Sequence, residues 1–421
     1  MRNRRHTGLL LGASILGLLI LLVLLTWGNY RYTSVNPGGN DFLVHWMGTR
    51  SFLISDMSPY SDATALKIQN FAYGRPANPG EHELRVAYPM YSIIFFFPFA
   101  LLGDFTFARA IWMTALEFSL FLMAFFSIRL VNWRPNLIVL VIYLVFSFLG
   151  YHAFRPLING NAVIIVGLLL VGAFMAMRTG ADELAGILLG FSTIKPQVVI
   201  LPILFVVFYA LFNRRWRLVA WLVGTVAILS AAAAFLLPDW ILQNIREVIR
   251  YPSYNPPGTP GAALAVWLPA LGQRLGYAFS AGIGILLLVE WIAARHADFK
   301  GFLWTACLTL ALSPWSGIQT DPGNFIVLMP ALTMCFALLD DRWRRWGWLS
   351  SVGVMILLMV GLWWIFLSTL EVVNGQPQQS PVMFFPLPAV LAVLLVWVRW
   401  WAFHPPNIWF NMLYEKENPK L

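Results

Sequence analysis

The sequence predicts an all-α polytopic membrane protein of about 12 transmembrane helices with a long extracytoplasmic first loop. Three observations predict it. Hydrophobic residues make up 59% of the 421 residues and charged residues only 11%. Mean hydropathy is +0.71. Basic residues recur in short clusters between long apolar runs. A soluble domain keeps its surface in water with about 25% charged residues, so this chain needs another solvent. Length alone would allow two or three soluble domains. Apolar runs nevertheless continue from Gly8 to Phe403 without a long polar block, which predicts one membrane domain over 1–421. The net charge of +9 is spread over inter-helical turns, where it orients a membrane protein, and no nucleic-acid partner is expected.

The first crossing is read at 8–29. Arg2, Arg4 and Arg5 precede it, it exceeds a signal-peptide core, and no small-x-small cleavage site comes before Asn29. Further basic clusters lie at Arg129 with Arg134, Arg178, Arg214 with Arg215 and Arg217, Arg295 with Lys300, Arg342 with Arg344 and Arg345, and Arg399 with Lys416 and Lys420. Placing all of them in the cytoplasm fixes helix parity. The remaining crossings then fall at 107–128, 137–154, 161–178, 184–194, 197–212, 218–236, 277–294, 301–313, 323–339, 347–369 and 382–403, with both termini inside and 404–421 a cytoplasmic tail. Segments 184–194 and 301–313 are short for a hydrocarbon core of about 30 Å. Half-helices packed against protein would tolerate that length. Residues 88–103 are apolar but contain Pro89 and Pro98, and are read as lying along or dipping into the outer face.

Polar residues gather in the outer loops: 30–106, the longest and read as carrying juxtamembrane helices, then Pro238 to Trp267, Ser313 to Asn324, and Glu371 to Pro381. Long loops on one face against tight basic turns on the other predict an outward-facing site. Cys307 and Cys335 both fall in apolar segments, so neither a disulfide framework nor a metal site is expected. No Walker loop, dinucleotide fingerprint, HExxH or CxxC occurs, which leaves a cytoplasmic nucleotide site unsupported.

The segment Asn36-Pro37-Gly38-Gly39-Asn40-Asp41 follows the first helix. Asn40 is read as an N-cap and Asp41 as the first turn of a short helix. There the helix dipole favours an ionised carboxylate, as a general base requires. His45, one turn on, shares its face. Asp41 as a mere cap and Asp41 as a base both stand open. Asp104 and Asp321 are rival carboxylates, each also readable as a cap or turn residue. Lys195, in Ser192-Thr193-Ile194-Lys195-Pro196-Gln197, interrupts an apolar stretch. A charge there either snorkels or meets an anion such as a lipid phosphate. Arg155, Arg109 and Arg85 are further outer-face cations, each read as surface residues unless a phosphate recruits them. Glu117 and Glu290, within apolar runs, call for partners or protonation.

In their order along the chain these residues resemble the GT-C-type integral membrane glycosyltransferases, most closely glycosyltransferase family 87. The likeness rests on Asp41-Phe42 with Trp46 after the first helix, Ser58-Pro59-Tyr60, Ala87-Tyr88-Pro89, Gly160-Asn161, Ala185-Gly186, Lys195-Pro196 and Ser313-Pro314. The pattern is dense in the N-terminal half and thin in the C-terminal half. Tyr88-Pro89-Met90 lacks the family's second proline, Gly160-Asn161 its glutamine, and the late loop a histidine.

The resemblance implies an inverting hexosyltransferase, with mannose the expected sugar and polyprenyl phosphate its carrier. Asp41 would be the base and Lys195 and Arg155 the donor-phosphate ligands. His45, Tyr60, Tyr88, Asn161, Gln197 and Asp321 would contact substrate, with Asp321 replacing the absent histidine. Expected partners are the polyprenyl-phosphate sugar, a glycolipid, glycan or protein acceptor, and membrane lipids, with no metal and no cofactor. The competing reading is a lipid or amphiphile transporter using Glu117 and Glu290. Transporters are often built from paired halves, whereas here the long loop follows the first helix alone.

Overall fold

The computed structural model describes residues 2–255, 258–342, 346–373 and 376–403. Pro256, Pro257, Arg344, Arg345, Lys416, Lys420 and the tail 404–421 lie outside the described residues. Helix α1 (Arg2–Val35) is followed by three short helices, α2 (Asn40–Ser55), α3 (Asp62–Tyr73) and α4 (Ile93–Ala100). Then come α5 (Phe105–Leu130), α6 (Leu137–Leu149), α7 (Tyr151–Asn159), α8 (Val163–Thr179), α9 (Asp182–Ser192), α10 (Pro196–Phe212) and α11 (Trp216–Leu236). The second half holds α12 (Trp240–Arg250), α13 (Pro260–Trp267), α14 (Gly272–Ala294), α15 (Phe299–Leu312), α16 (Met329–Arg342), α17 (Gly347–Ser368) and α18 (Pro386–Phe403). One small antiparallel hairpin, β1 (Glu371–Val373) with β2 (Gln376–Gln378), pairs Val372 with Pro377.

Each segment read as a crossing contains helix, but fewer than twelve of the described helices are of spanning length. Among the described residues seven helices are long and apolar enough to cross a membrane, and eight if α6 and α7 form one span bent by 45°. The bend falls at Gly150, between the two helices. The short segments read at 184–194 and 301–313 are α9 and α15. The chain is thus an all-α polytopic membrane protein.

Packing separates the helices by depth. The apolar stretch of α1 is almost wholly exposed, whereas Pro322–Arg342 is almost wholly enclosed and forms the centre of the bundle. α1 is held to α5 by polar groups. Asn29 donates to Thr114 and Glu117 at 3.0 Å each, and the Thr33 hydroxyl donates to the Thr106 carbonyl at 3.1 Å. Hydrogen bonds of this kind join helices where the surrounding lipid is as apolar as leucine. α9 meets α11 through Gly186 and Gly190, a small-xxx-small pair. A Cβ at Gly186 would lie 2.5 Å from the Leu218 carbonyl oxygen, and one at Gly190 2.6 Å from Thr225. Only hydrogen leaves room for that approach.

Basic side chains tie the helices at one end of the bundle. Arg178 donates to the Arg129 and Leu130 carbonyls at the end of α5, Arg215 at the start of α11 pairs with Asp182 of α9, and Asn213 donates to the Arg295 carbonyl.

At the other end the first loop, with its helices α2, α3 and α4, folds into a cap. The segment read as a loop from Pro238 to Trp267 likewise contains two helices, α12 and α13. Arg85, expected at the surface, is 8% exposed and lies between these two regions. Its guanidinium donates to Glu247 of α12 at 2.7 and 3.1 Å and to Asp62 of α3 at 2.5 Å. Arg250 of α12 adds a pair with Glu83 at 2.7 Å.

Removing one partner of a buried pair strands the other charge, which costs about 3–5 kcal/mol, while replacing both by apolar groups of like volume is close to neutral. Arg85→Met is therefore expected to lower the unfolding temperature of the detergent-solubilised protein clearly. Arg85→Met combined with Glu247→Leu should recover much of the loss. Equal losses in the single and double variants would show that the pair is not what clamps the cap.

Candidate active site

The cap delivers Asp41 to the bundle through a turn that only glycines allow. Gly38 and Gly39 have φ of 124° and 78°, the left-handed region that a Cβ disfavours. Gly39, not Asn40, is the N-cap of α2, and no side chain caps that helix. Below the turn sits Arg109, 1% exposed rather than a surface cation. It donates to the Asn36 carbonyl at 2.9 Å and to the Ile158 carbonyl at 3.1 Å, stapling the turn to the end of α7. A Cβ on Gly39 would fall 2.4 Å from its Nε.

Asp41 stands in the first turn of α2. Its partner is Asn161, whose Nδ2 donates to Oδ2 at 3.1 Å. Asn161 follows Gly160, which closes α7 with φ of 70° and packs where a Cβ would lie 2.5 Å from the Phe42 Cβ. The Gly160 carbonyl accepts from the Trp112 indole at 2.8 Å, and Trp112 stacks on Phe42 at 5.4 Å. The residue beside Asp41 and the residue before Asn161 are thus packed together. This fixes the carboxylate against the amide.

Lys195 closes the chain of contacts. It is 3% exposed and its Nζ donates to Asn161 Oδ1 at 2.7 Å. The same oxygen accepts from the Val163 N–H at 2.9 Å and lies 3.5 Å from the Tyr88 hydroxyl. The ammonium also lies 5.3 Å from the Tyr88 ring centre, a cation–π distance. The break that carries Lys195 has a local cause. Proline cannot follow a residue in helical geometry comfortably, but suits the first position of the next helix. Lys195 accordingly caps α10 with Pro196 as its first residue.

The segment Ser313 to Asn324 brings a second acid. Asp321 Oδ1 accepts from the Gly323 N–H at 2.6 Å and from Arg155 of α7 at 3.3 Å. Its turn-residue reading holds, and the ion pair is added to it. Pro322–Leu328 continues as a 3₁₀ stretch of 7 residues, longer than this geometry usually runs. A histidine does reach this loop, from α7. His152 Nδ1 lies 2.7 Å from the Pro322 carbonyl oxygen, which only accepts, so Nδ1 carries the hydrogen.

The charges act on one another. Burial raises the Asp41 carboxyl above its usual 3.8, Lys195 opposes that, and the like charge of Asp321 adds to it. Burial pulls Lys195 down to about 8, against the attraction of Asp41 and Asp321. Burial pushes the Tyr251 hydroxyl up, helped by Asp321 and Asp41. Asp41, Lys195, Asp321, Arg155 and Tyr251 therefore share one electrostatic neighbourhood. Tyr251, just after α12, is a member that sequence reading missed. The Tyr-Pro-Ser-Tyr run was the available signal, and it carried no chemistry of its own.

The other expected contacts are placed as follows. His45 is 7% exposed, with its ring 3.9 Å from Tyr88 and 4.6 Å from Phe96. Burial and then the Lys195 charge hold it to about 3, so it is neutral near pH 7. The Tyr60 hydroxyl donates to the Tyr88 carbonyl at 2.8 Å. These two side chains grip Tyr88 and line a small recess beside it. Gln197 is half-buried in the first turn of α10, and among the described residues it makes no hydrogen bond to the Asp41–Asn161–Lys195 chain. Asp104 caps α5, accepting from the Phe107 N–H at 2.6 Å. Glu117 takes a hydrogen bond from Asn29, and Glu290 is paired bidentately with Arg399 at 2.7 and 2.9 Å. Neither acid is left as a lone charge for a transport path.

A carboxylate with one oxygen bonded to Asn161 and, among the described residues, no hydrogen bond on the other, within electrostatic reach of Lys195 and Arg155, is equipped for proton abstraction beside a developing anion. Comparison with known proteins bears on which reaction this is. No curated protein matches the chain. The family model for glycosyltransferase family 87 matches residues 87–314. That stretch contains Tyr88, Arg155, Asn161, Lys195 and Gln197, while Asp41, His45, Tyr60 and Asp321 lie outside it. The match spans more than half of the sequence, and with the helical membrane architecture it places this chain in glycosyltransferase family 87.

Proposed function

We propose that the protein transfers a hexose, with mannose the first candidate, from a polyprenyl-phosphate donor to a hydroxyl of a glycolipid, glycan or protein acceptor. The single observation that carries this reading is the Asp41–Asn161–Lys195 chain, a carboxylate held one amide away from a buried ammonium. The acceptor O–H gives its proton to the free oxygen of Asp41 as its oxygen bonds to the anomeric carbon. The bond from that carbon to the phosphate oxygen breaks, its electron pair stays on the phosphate, and polyprenyl phosphate leaves. Attack opposite the leaving group inverts the anomeric centre.

Lys195 meets the charge that grows on the phosphate, and Arg155 is the second cation. The N-terminal dipole of α10, on which Lys195 sits, adds to the same anion-favouring potential. These fixed positive groups supply the charge that the leaving phosphate requires. Asn161 keeps the base and the ammonium from pairing directly. A direct ion pair would hold the carboxyl low and weaken it as a base. Asp321, Tyr88 and Gln197 would meet sugar or acceptor hydroxyls in this reading, and His45 and Tyr60 hold the Tyr88 ring and backbone.

The topology we propose is a GT-C-like bundle of twelve crossings in the cell membrane. The cap 30–106 and the site lie on the extracytoplasmic side, and both termini with the tail 404–421 lie in the cytoplasm. Arg129, Arg178, Arg215 and Arg295 meet at the end of the bundle away from Asp41 and Lys195, the distribution that the positive-inside rule describes.

Asp41→Asn is expected to lower transfer from radiolabelled polyprenyl-phosphate mannose by at least about 10²–10⁴-fold, the usual contribution of a positioned base. Its elution profile and helix content should match wild type. Retained turnover in this variant removes the mechanism.

The dependence of kcat/KM on pH should be bell-shaped. The acid limb reports the raised Asp41 and lies above 3.8. Activity rises through it because only the carboxylate accepts a proton. The basic limb reports Lys195 near 8, and activity falls there as the ammonium is neutralised. In Lys195→Arg, whose guanidinium stays charged, that basic limb should vanish or move well above pH 8. A basic limb unchanged by the substitution assigns it to another group.

A further inference from the structure

Helix α12 (Trp240–Arg250) is amphipathic in an inverted sense. Its polar side chains face the protein. Gln243 accepts from the Ser58 hydroxyl at 2.6 Å, Asn244 donates to the Ala87 carbonyl at 3.0 Å, and Glu247 holds Arg85 at 2.7 Å. Its apolar side chains face outward. Ile241, Leu242, Ile245, Val248 and Ile249 are 49–76% exposed. At 100° per residue these five occupy one continuous stripe, opposite Gln243, Asn244 and Glu247. Arg246 and Arg250 fall together along one border of that stripe. No other described helix segregates its two faces as sharply.

An exposed stripe of five branched aliphatic residues is not suited to water. Chain connectivity says what covers it. α11, one of the helices able to span a membrane, ends at Leu236 with Ile228, Phe235 and Leu236 exposed. Only Leu237-Pro238-Asp239 separates it from α12, so the stripe continues the lipid-facing surface of α11. At 11 residues α12 is too short to cross, since a spanning helix needs about 20. A strong apolar face, a polar opposite face and bordering arginines describe a helix lying in the interfacial plane.

We infer that α12 lies flat in the membrane surface at the end of the bundle where the site is, with Ile241, Leu242, Ile245, Val248 and Ile249 among lipid acyl chains and Arg246 and Arg250 on the headgroup side. The partner is bilayer phospholipid. Such a helix sits about 5–10 Å into the headgroup boundary. Through Glu247–Arg85 and Asn244–Ala87 it would hold the segment 85–88, and through the chain that follows it Tyr251, at that level. The inference does not depend on which sugar or carrier the enzyme uses.

Site-directed spin labelling of the full chain tests it. Cys307 and Cys335 are fully buried, so a nitroxide reagent will select an introduced cysteine. Leu242→Cys, Ile245→Cys and Ile249→Cys are labelled one at a time, with Lys67→Cys on the exposed face of α3 as the aqueous reference. Each protein is placed in nanodiscs of phosphatidylcholine and phosphatidylglycerol. Collision rates with oxygen, which concentrates in acyl chains, are compared with those of a water-soluble nickel chelate. The ratio of oxygen to nickel collisions should be severalfold higher at 242, 245 and 249 than at 67. A ratio equal to that at 67 puts the stripe in water and overturns the proposal. Low collision rates with both reagents mean that protein covers the stripe, as in a second copy, and overturn it equally. Three separate positions keep the test decisive if one variant fails to fold.

Discussion

A buried ammonium with no carboxylate in direct contact is the constraint around which this site is arranged. Lys195 has only 3% of its surface exposed, and an unpaired charge in such surroundings is costly. The structure offsets that cost with an amide oxygen at 2.7 Å and the face of Tyr88, and with the more distant charges of Asp41 and Asp321. The amide nitrogen then binds Asp41. One asparagine therefore keeps a cation charged and a carboxylate oriented while holding the two apart. A direct Lys–Asp pair would satisfy both residues and leave neither available to a substrate.

That arrangement needs three remote pieces of chain to meet, and aromatic packing together with buried hydrogen bonds and an ion pair brings them together. Phe42, next to Asp41, stacks on Trp112, whose indole binds the carbonyl preceding Asn161. Arg109 ties the turn before Asp41 to the end of α7. Arg85 ties the cap to α12, and α12 carries the chain to Tyr251 at the rim. Arginine suits these positions because its planar fork can satisfy two acceptors and keep its charge when buried. Both arginines act on the site only through backbone and loop placement.

Much of the architecture was legible in one dimension. Apolar runs between basic clusters located every long helix, and Pro196 marked the break at Lys195. The likeness carried by Asp41-Phe42, Tyr88-Pro89, Gly160-Asn161 and Lys195-Pro196 pointed to the family whose model matches 87–314. The short helices were less visible. α12 and α13 hide in a segment rich in Pro, Gly and Tyr, because local composition reports turns and the helix there is fixed by contacts from Ser58, Arg85 and Ala87. Arg85 and Arg109 were misjudged as surface cations for the same reason. An arginine in a loop or at a helix start reads as exposed until tertiary contacts enclose it. Asn40 was expected to cap α2, but two successive glycines with positive φ let Gly39 take that place.

The sequence by itself determined the solvent, the helices and the residue types available at one end of the bundle, because hydropathy and proline act locally through transfer free energy and backbone sterics. Only the tertiary structure decided that Asn161 stands between Asp41 and Lys195, that Asp321 pairs with Arg155, and that Tyr251 joins them. Those relations link residues up to some two hundred positions apart, and they exist only once packing has set the distances over which charges interact.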